Sequence, residues 1–131
     1  MKVVFDTNIL ISGFLTVTGV SRYVFNVALK RHQVILSEFI LDELKRKLVV
    51  KLRIPPSGVE RMVRFLRKRT TLLKVKKNPH IQFKDKDDIP LLELLEFSKA
   101  HYFVTGDKDL QTLKKFGHTL ILSPREAIEI L

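Results

Sequence analysis

Residues 1–15 read MKVVFDTNILISGFL and combine a short strand with the helix that follows it. The run Lys2–Phe5 is rich in valine, as buried β-strands are, and a helical apolar pattern extends from Thr7 to about Leu15. Asp6 lies at the junction of the two elements. A strand that leads directly into a helix is the start of a crossover unit, so this stretch indicates a parallel sheet.

The same alternation continues along the chain. Strands separated by helices predict a mostly parallel sheet covered on both faces, and no repeat or long linker divides the α/β domain expected over residues 1–131. The third helix would stack Leu41, Leu44, Leu48 and Leu52 on one face. The other expected elements are a helix opened by Gly19 and Ser21 that ends at Arg31, a strand at 34–36, the third helix from its N-cap Ser37 to about Leu52, a basic helix after 54–58, a strand at 71–75, a loop at 76–86, a helix from Asp88 to about Ala100, a strand at 102–104, a short helix at 107–115, a strand at 119–122 and a last helix with Pro124 in its first turn.

The composition excludes several classes of protein. Of the 131 residues 45% are hydrophobic and 29% are charged, which excludes collagen-like and disordered chains. Cysteine is absent, and with it disulfides, zinc–thiolate sites and cysteine nucleophiles. Apolar runs never exceed three residues and Asp6 interrupts the first of them, so neither a membrane span nor a secretory signal is expected. We therefore expect a soluble, cytoplasmic protein.

The positive charge is concentrated in residues 45–77, which we call the basic segment. The chain has 24 Lys and Arg against 14 Asp and Glu, a net charge of +10. The basic segment holds 13 of the bases and one acid, Glu60, and carries +12, while the rest of the chain carries −2. Such a segment favours a polyanionic partner, most plainly nucleic acid, and solvated surface helices are the alternative interpretation.

Two aspartates lie at or shortly after the ends of predicted strands. Asp6 comes after the first strand, and Asp107 comes shortly after the strand at 102–104. Because the chemistry of open α/β sheets gathers beyond the carboxyl ends of the strands, both residues are candidates for a site. Each also stands where a helix begins, so an N-cap role is the alternative.

Helical phase indicates a third aspartate as a candidate for the site. Asp88 precedes three leucines by three, four and seven residues, which places it on the inward stripe of its helix. Capping is again the alternative, and the neighbouring Asp85 and Asp87 could substitute or assist.

Helical phase does not select among the acids of the third predicted helix, which are Glu38, Asp42 and Glu43. Glu43 lies off the main leucine stripe of that helix. Taken alone, it is more simply interpreted as a solvated glutamate.

Carboxylates that converge on one site repel each other and therefore require cations. Oxygen ligands suit Mg²⁺ or Mn²⁺ rather than zinc. Hard metals held by carboxylates beside a basic surface are typical of sites that hydrolyse phosphodiester bonds. The four histidines are not in ligand spacing at strand ends; they are His32, His80, His101 and His118.

Four blocks of sequence together resemble the PIN-domain family over essentially the whole chain, and most closely its toxins from prokaryotic toxin–antitoxin pairs. The opening Asp-Thr-Asn and the late Thr-Gly-Asp-x-Asp-Leu are fairly specific as a pair. The blocks are Phe5-Asp6-Thr7-Asn8-Ile9-Leu10, Leu36-Ser37-Glu38 through Leu41-Asp42-Glu43-Leu44, Asp85-Lys86-Asp87-Asp88, and Val104-Thr105-Gly106-Asp107-Lys108-Asp109-Leu110.

The resemblance implies a metal-dependent ribonuclease on a five-stranded sheet of order 3-2-1-4-5, which would bring Asp6 and Asp107 together. It also implies a homodimer and a cognate antitoxin protein as partners. Asn8 and Thr105 would support the metal ligands through hydrogen bonds. Carried over by motif, the metal-binding and catalytic acids are Asp6, Glu43, Asp88 and Asp107, with Asp109 as a further metal ligand.

The acidic block departs from the family pattern. Lys86 replaces the Pro that often follows its first Asp, and Ile89 replaces a further acid. The choice between Asp87 and Asp88 therefore depends on helical phase, which favours Asp88 as the one residue that points into the site. The small residues usual on the next helix are replaced by Glu93, Leu94 and Leu95.

RNA contacts are expected along the basic segment. Phe65 is its only aromatic residue, so the segment itself offers no stacking platform for bases. An aspartate-nucleophile phosphotransferase is disfavoured because Asn8 replaces the second acid such enzymes use. A catalytically silent nucleic-acid-binding or interaction module remains the alternative. The expected RNA-binding residues are Lys45, Lys47, Arg61, Arg64, Arg67 and Lys68.

Overall fold

In residues 1–16 and 18–131, the part of the chain that the computed structural model describes, six strands form one sheet. Their order is β3-β2-β1-β4-β6-β5, and all neighbouring pairs except β6 and β5 are parallel. The parallel part confirms the predicted order, with β6 as its fifth strand. The strands are β1 (Lys2–Phe5), β2 (Gln33–Ser37), β3 (Thr71–Leu73), β4 (Tyr102–Val104), β5 (Lys115–Phe116) and β6 (Thr119–Leu122).

β1 occupies the centre of the sheet. Its Val4 lies opposite Ile35 of β2 and Phe103 of β4. Val3, Val4 and Phe5 are completely buried, as expected for a parallel strand with both faces covered. The predicted class, a mostly parallel sheet flanked by helices, is confirmed.

Most of the helices begin and end near the predicted positions, and the predicted places of Ser37 and Pro124 are confirmed. Ser37 accepts a hydrogen bond from the backbone N–H of Ile40, and Pro124 lies in the first turn of the last helix. No single helix in the described ranges is long and apolar enough to cross a membrane; α1 and α2 reach that length only as a pair bent by 101°. The helices are α1 (Thr7–Leu15), α2 (Val20–Arg31), α3 (Glu38–Arg46), α4 (Pro56–Arg69), α5 (Ile89–Ser98), α6 (Lys108–Gln111) and α7 (Pro124–Ile130), with a π-helical turn at Lys47–Lys51 and a 3₁₀ turn at Lys86–Asp88.

The third predicted helix was expected to remain regular up to Leu52, which was wrong. α3 ends at Arg46, and the π-helical turn Lys47–Lys51 follows it. A π turn takes up one residue more than an α turn, so the phase of the leucine stripe shifts. Leu48 is still fully buried, but Leu52 is 42% exposed.

The helix expected at 107–115 was also too long. α6 ends at Gln111, and β5 then pairs with β6 in an antiparallel hairpin. Phe116 pairs with Thr119, which leaves a two-residue connection in which Gly117 has a φ of 58°. Glycine adopts this left-handed conformation without strain, which suits a tight turn.

Candidate active site at the carboxyl edge of the sheet

The pairing of β1 with β4 brings Asp6 next to Thr105. Phe5 lies opposite Val104, so the next residue of each strand reaches the same edge of the sheet. The buried Thr105 hydroxyl donates to Asp6 Oδ2 over 2.7 Å and accepts from the backbone N–H of Asp107 over 3.0 Å. Thr105 therefore fixes the Asp6 carboxylate and connects it to the segment that carries Asp107.

The capping alternatives separate the three aspartates. Asp6 and Asp88 hold N-cap positions, but neither side chain makes a cap hydrogen bond. Asp107 does cap its helix, since its Oδ1 accepts from the backbone N–H of Asp109 over 2.9 Å. Capping therefore accounts for Asp107 and does not account for Asp6 or Asp88.

Three of the predicted acids border one small cavity. Asp6, Glu43 and Asp88 line a space of about 30 Å³ between the end of β1, α3 and the start of α5. Asp107 does not line this cavity. Within residues 1–16 and 18–131, no three acidic or histidine side chains are close enough together to enclose a metal ion by themselves.

Burial and repulsion perturb Asp88. Burial is the larger cause, and together with the charges of Asp85, Asp107, Asp6 and Asp87 it raises the pKa of the Asp88 carboxyl from 3.8 to about 6. Four nearby carboxylates act on one side chain, so negative charge is concentrated at this edge of the sheet.

The surroundings of Asp6 have opposing effects on its pKa. Burial raises the pKa of Asp6, and the Glu43 carboxylate raises it further. The Thr105 hydroxyl, the backbone N–H of Thr7 and the charge of Lys47 oppose this rise. Hydrogen bonds therefore hold the Asp6 carboxylate in place even though burial disfavours its charge.

Lys47 lies beside the acids at this edge of the sheet. We call these acids the acid cluster; they are Asp6, Glu43, Asp88 and Asp107. Its Nζ is 3.5 Å from Glu43 Oε1, and it donates to Asn8 Oδ1 over 3.4 Å. Sequence reasoning assigned Lys47 to RNA binding and missed this position, although its i,i+4 spacing from Glu43 was a signal for the contact. Asn8, expected to support the acids, bonds to Lys47 instead.

Both Asp87 and Asp88 line the cavity, and the choice of Asp88 over Asp87 stays a prediction. Residues Lys86–Asp88 form a 3₁₀ turn before α5 begins, so α-helical phase does not apply to them. Asp85 caps this turn by accepting from the backbone N–H of Asp87 over 3.0 Å. Asp88 is the less exposed of the two candidates.

Asp109 and Glu38 lie outside the cavity. Asp109 is exposed, and its Oδ2 is 3.8 Å from Lys84 Nζ. Glu38 pairs with Arg67 of α4 at 3.3 Å. The acid that α3 contributes to the cavity is therefore Glu43.

The remaining predicted RNA-binding residues lie on the surface. Arg64 pairs with Glu60 at 3.0 Å within α4, and Lys45 lies 3.9 Å from Asp42. Arg61 and Lys68 of α4 are exposed. Pairs as exposed as these contribute little to stability, so their cations remain available to a partner.

The donor set fits a hard divalent cation. Every acidic group at the cavity offers carboxylate oxygen, which Mg²⁺ and Mn²⁺ prefer. Mg²⁺ commonly binds through one or two carboxylates and retains several waters, so three converging ligands are not required. Asp6, Glu43 and Asp88 are the residues that would hold it.

These features define a doubly wound α/β protein with a carboxylate site at the carboxyl edge of its sheet. The PIN-domain family profile matches residues 2–109, and the chain belongs to the PIN-domain family. PIN domains are generally nucleases.

A solved structure shares this fold. One chain of the crystal structure of VapBC2 from Rickettsia felis, bound to a DNA fragment from its promoter, matches with a TM-score of 0.69 at 10% identity. The match covers 94% of this chain and 98% of that chain, and at this identity it shows the fold alone. A comparison with curated proteins finds no match.

Proposed function

We propose that this protein is a Mg²⁺- or Mn²⁺-dependent endoribonuclease. The observation that carries the proposal is the convergence of Asp6, Glu43 and Asp88 on one cavity, where neither aspartate serves as a helix cap. Membership of a family that is generally nucleolytic supports hydrolysis of a phosphodiester bond.

The side chains have distinct roles in this proposal. One or two of Asp6, Glu43 and Asp88 would bind the cation directly with waters completing its coordination, and the charges of the remaining carboxylates and of Asp107 would contribute to its binding. A bound divalent ion supplies an activated water and stabilises negative charge that develops on phosphate oxygens. Thr105 orients the Asp6 carboxylate, and Lys47 keeps Glu43 in position through their ion pair.

A nucleic acid is the proposed substrate because of the charge on the basic segment, and RNA is chosen because the family resemblance implies a ribonuclease. The segment carries +12, and its α4 faces solvent with Arg61, Arg64 and Lys68 exposed. Contacts to phosphates release counterions and bind a strand without reading its sequence. RNA as the substrate also favours a cytoplasmic location.

We also propose that the protein is a toxin with a cognate antitoxin, and that it forms a homodimer. Support for the antitoxin comes from the likeness to VapBC2, a toxin–antitoxin complex. The homodimer rests on the family resemblance. Co-expression with the product of the neighbouring gene, followed by size-exclusion chromatography with light scattering, tests both assemblies.

The decisive experiment is a metal titration of RNA cleavage. Purified protein is incubated with single-stranded RNA, and in parallel with DNA of the same sequence, in EDTA and over a series of Mg²⁺ and Mn²⁺ concentrations. RNA should be cleaved only with metal, and Asp6→Asn should lower the rate by orders of magnitude without unfolding the protein. Asp42→Asn, an exposed acid of α3, is the matched control. Near wild-type turnover of Asp6→Asn at saturating metal would exclude this site as the catalytic centre.

A catalytically silent nucleic-acid-binding module is the second candidate. It is favoured by the spacing of the acids, since within the described residues no three of them enclose an ion, and by the capping role of Asp107. Such a module would bind RNA equally well in EDTA and in Mg²⁺, and it would cleave nothing. The same titration therefore separates the two candidates.

A further inference from the structure

We propose that a cavity beside the acid cluster holds one base of the RNA, stacked on Phe39, next to the phosphate that is cleaved. The cavity has a volume of about 440 Å³, within the range of pockets that hold small ligands. We call it the Phe39 pocket. The inference rests on the proposed function and names a binding subsite of that site.

Strand pairing builds the pocket from two adjacent strand ends. Ser37 of β2 lies opposite Leu73 of β3, so the first turn of α3 lies beside the chain that leaves β3. Leu73, Val75 and Pro90 supply apolar lining, and Phe39 completes it. Flat apolar walls with an aromatic ring suit a nucleobase, because every base has a face that can stack.

Phe39 connects the pocket to the acids. The side chain lines both the Phe39 pocket and the cavity of Asp6, Glu43 and Asp88. It is 50% exposed, so part of its surface remains accessible to a ligand. A base stacked on this ring would therefore belong to a nucleotide adjacent to the acid cluster.

The charges at the pocket suit the phosphates of a strand. Lys74 and Lys77 line it, and neither has an ion pair within residues 1–16 and 18–131. The two acids of the lining are already engaged: Glu38 pairs with Arg67, and Glu93 accepts a hydrogen bond from the backbone N–H of Asn78.

The pocket is built for stacking more than for hydrogen-bonded recognition of the base. Among its polar lining groups, the Ser37 hydroxyl already accepts a hydrogen bond from the N–H of Ile40, in addition to the two engaged acids. Stacking strength then sets the preference, so purines should bind more tightly than pyrimidines.

The test uses the absence of tryptophan from the chain. Phe39→Trp places a single indole in the pocket, and Phe65→Trp on α4, where Phe65 is 36% exposed, is the matched control. Adenosine 5′-monophosphate is titrated in EDTA against each variant, with ribose 5-phosphate as the ligand that lacks a base. We expect quenching of Phe39→Trp by the nucleotide only, and none of Phe65→Trp. Equal quenching of both variants, or none, would overturn the proposal.

A second measurement covers the case in which the indole itself disturbs the pocket. Phe39→Ala should raise the KM for an RNA oligonucleotide about fivefold or more with kcat nearly unchanged, and Phe39→Tyr should restore it. Lys74→Ala and Lys77→Ala should weaken binding and reduce its salt dependence. An unchanged KM in Phe39→Ala, or a defect confined to binding of a protein partner, would overturn the subsite.

The base-binding subsite and the nuclease activity can be disproved separately. If wild-type protein cleaves RNA with metal and the nucleotide leaves Phe39→Trp unquenched, the subsite is wrong and the nuclease stands. If wild-type protein cleaves nothing while the nucleotide quenches Phe39→Trp, the nucleotide pocket stands and the nuclease assignment is wrong.

Discussion

The acid cluster and the basic segment carry opposite charges, and they assemble in opposite ways. The acids come from separate parts of the chain: the end of β1, α3, the turn before α5 and the loop after β4. The bases are contiguous in sequence, and those of α4 are exposed, with Arg64 paired to Glu60 one helical turn away.

The difference shows which charges point to function. Exposed, hydrated cations cost a fold little, so their clustering alone is compatible with a solvated surface. Burial disfavours the charge of carboxylates gathered by the fold and raises the pKa of Asp6 and Asp88, and repulsion from neighbouring carboxylates adds to the rise. Perturbed groups in a cleft are candidates for a functional site on physical grounds.

The largest expected effect separates Asp88 of the acid cluster from its neighbour Asp87. Asp88→Ala should lower metal-dependent cleavage by about a hundredfold or more, because a ligand should matter at least as much as the groups that orient it. Asp87→Ala should retain most of the activity, because Asp87 is the more exposed of the two. Rates over a Mn²⁺ titration provide the measurement. An inactive Asp87→Ala together with an active Asp88→Ala would show that burial selects the wrong residue.

A smaller effect is expected from the residue that joins Asp6 to Asp107. Thr105→Val keeps the shape of the side chain and removes the hydroxyl, so the Asp6 carboxylate loses a donor and the Asp107 N–H loses its acceptor. Activity should fall roughly 10- to 100-fold, as for residues that orient metal ligands. Thr105→Ser keeps the hydroxyl and should retain activity. Rates are measured well below the melting temperature, and full activity of Thr105→Val would remove its orienting role.

The basic segment should respond in binding rather than in chemistry. Replacing Arg64, Arg67 and Lys68 by Gln should lower the log–log salt slope of single-stranded RNA binding by roughly 0.7 per lost phosphate contact. Metal affinity should change little. The control replaces Lys30, Arg31 and Lys115, which are exposed and lie outside the segment. The same slope change in both triple variants would mean that net charge matters and the location of the cations does not.

The sequence predicted the elements whose signal is local. Most of the parallel strands are short apolar runs with buried residues on both faces, so their positions followed from the pattern and their order from the resemblance. β5 was missed because two residues carry no periodicity. The π-helical turn after α3 was missed because Leu48 and Leu52 have ordinary helical spacing in sequence, which does not reveal an extra residue in the turn.

The site was predictable to the extent that strand ends define it. Asp6 and Asp107 were predicted as candidates because they follow strands, and those strands proved to be neighbours. Glu43 was left open by helical phase, since its position depends on how α3 packs against the end of β1. Phe39 was missed for the same reason: its pocket exists only where β2 and β3 end side by side.

The smallest expected effect concerns stability and pH, and it tests whether burial and neighbouring carboxylates disfavour the charge of Asp88. In the unfolded chain Asp88 should titrate near its ordinary pKa of 3.8, and in the metal-free folded protein near 6. The folded state therefore binds the proton more tightly, and stability falls as pH rises from about 4 to about 6.

Below pH 4 the carboxyl is protonated in both states, and above pH 6 the whole penalty is present. Melting temperatures measured in EDTA between pH 4 and pH 7.5 should therefore fall as the pH rises. Asp88→Asn should reduce this fall, and Asp42→Asn, at an exposed acid, should not. Adding Mg²⁺ at pH 7 should recover stability in the wild type and less in Asp88→Asn, because a cation that binds only the folded state stabilises it. Identical pH profiles for wild type and Asp88→Asn would mean that the carboxylates at this edge are hydrated and independent, and the contrast between the two charged regions would then disappear.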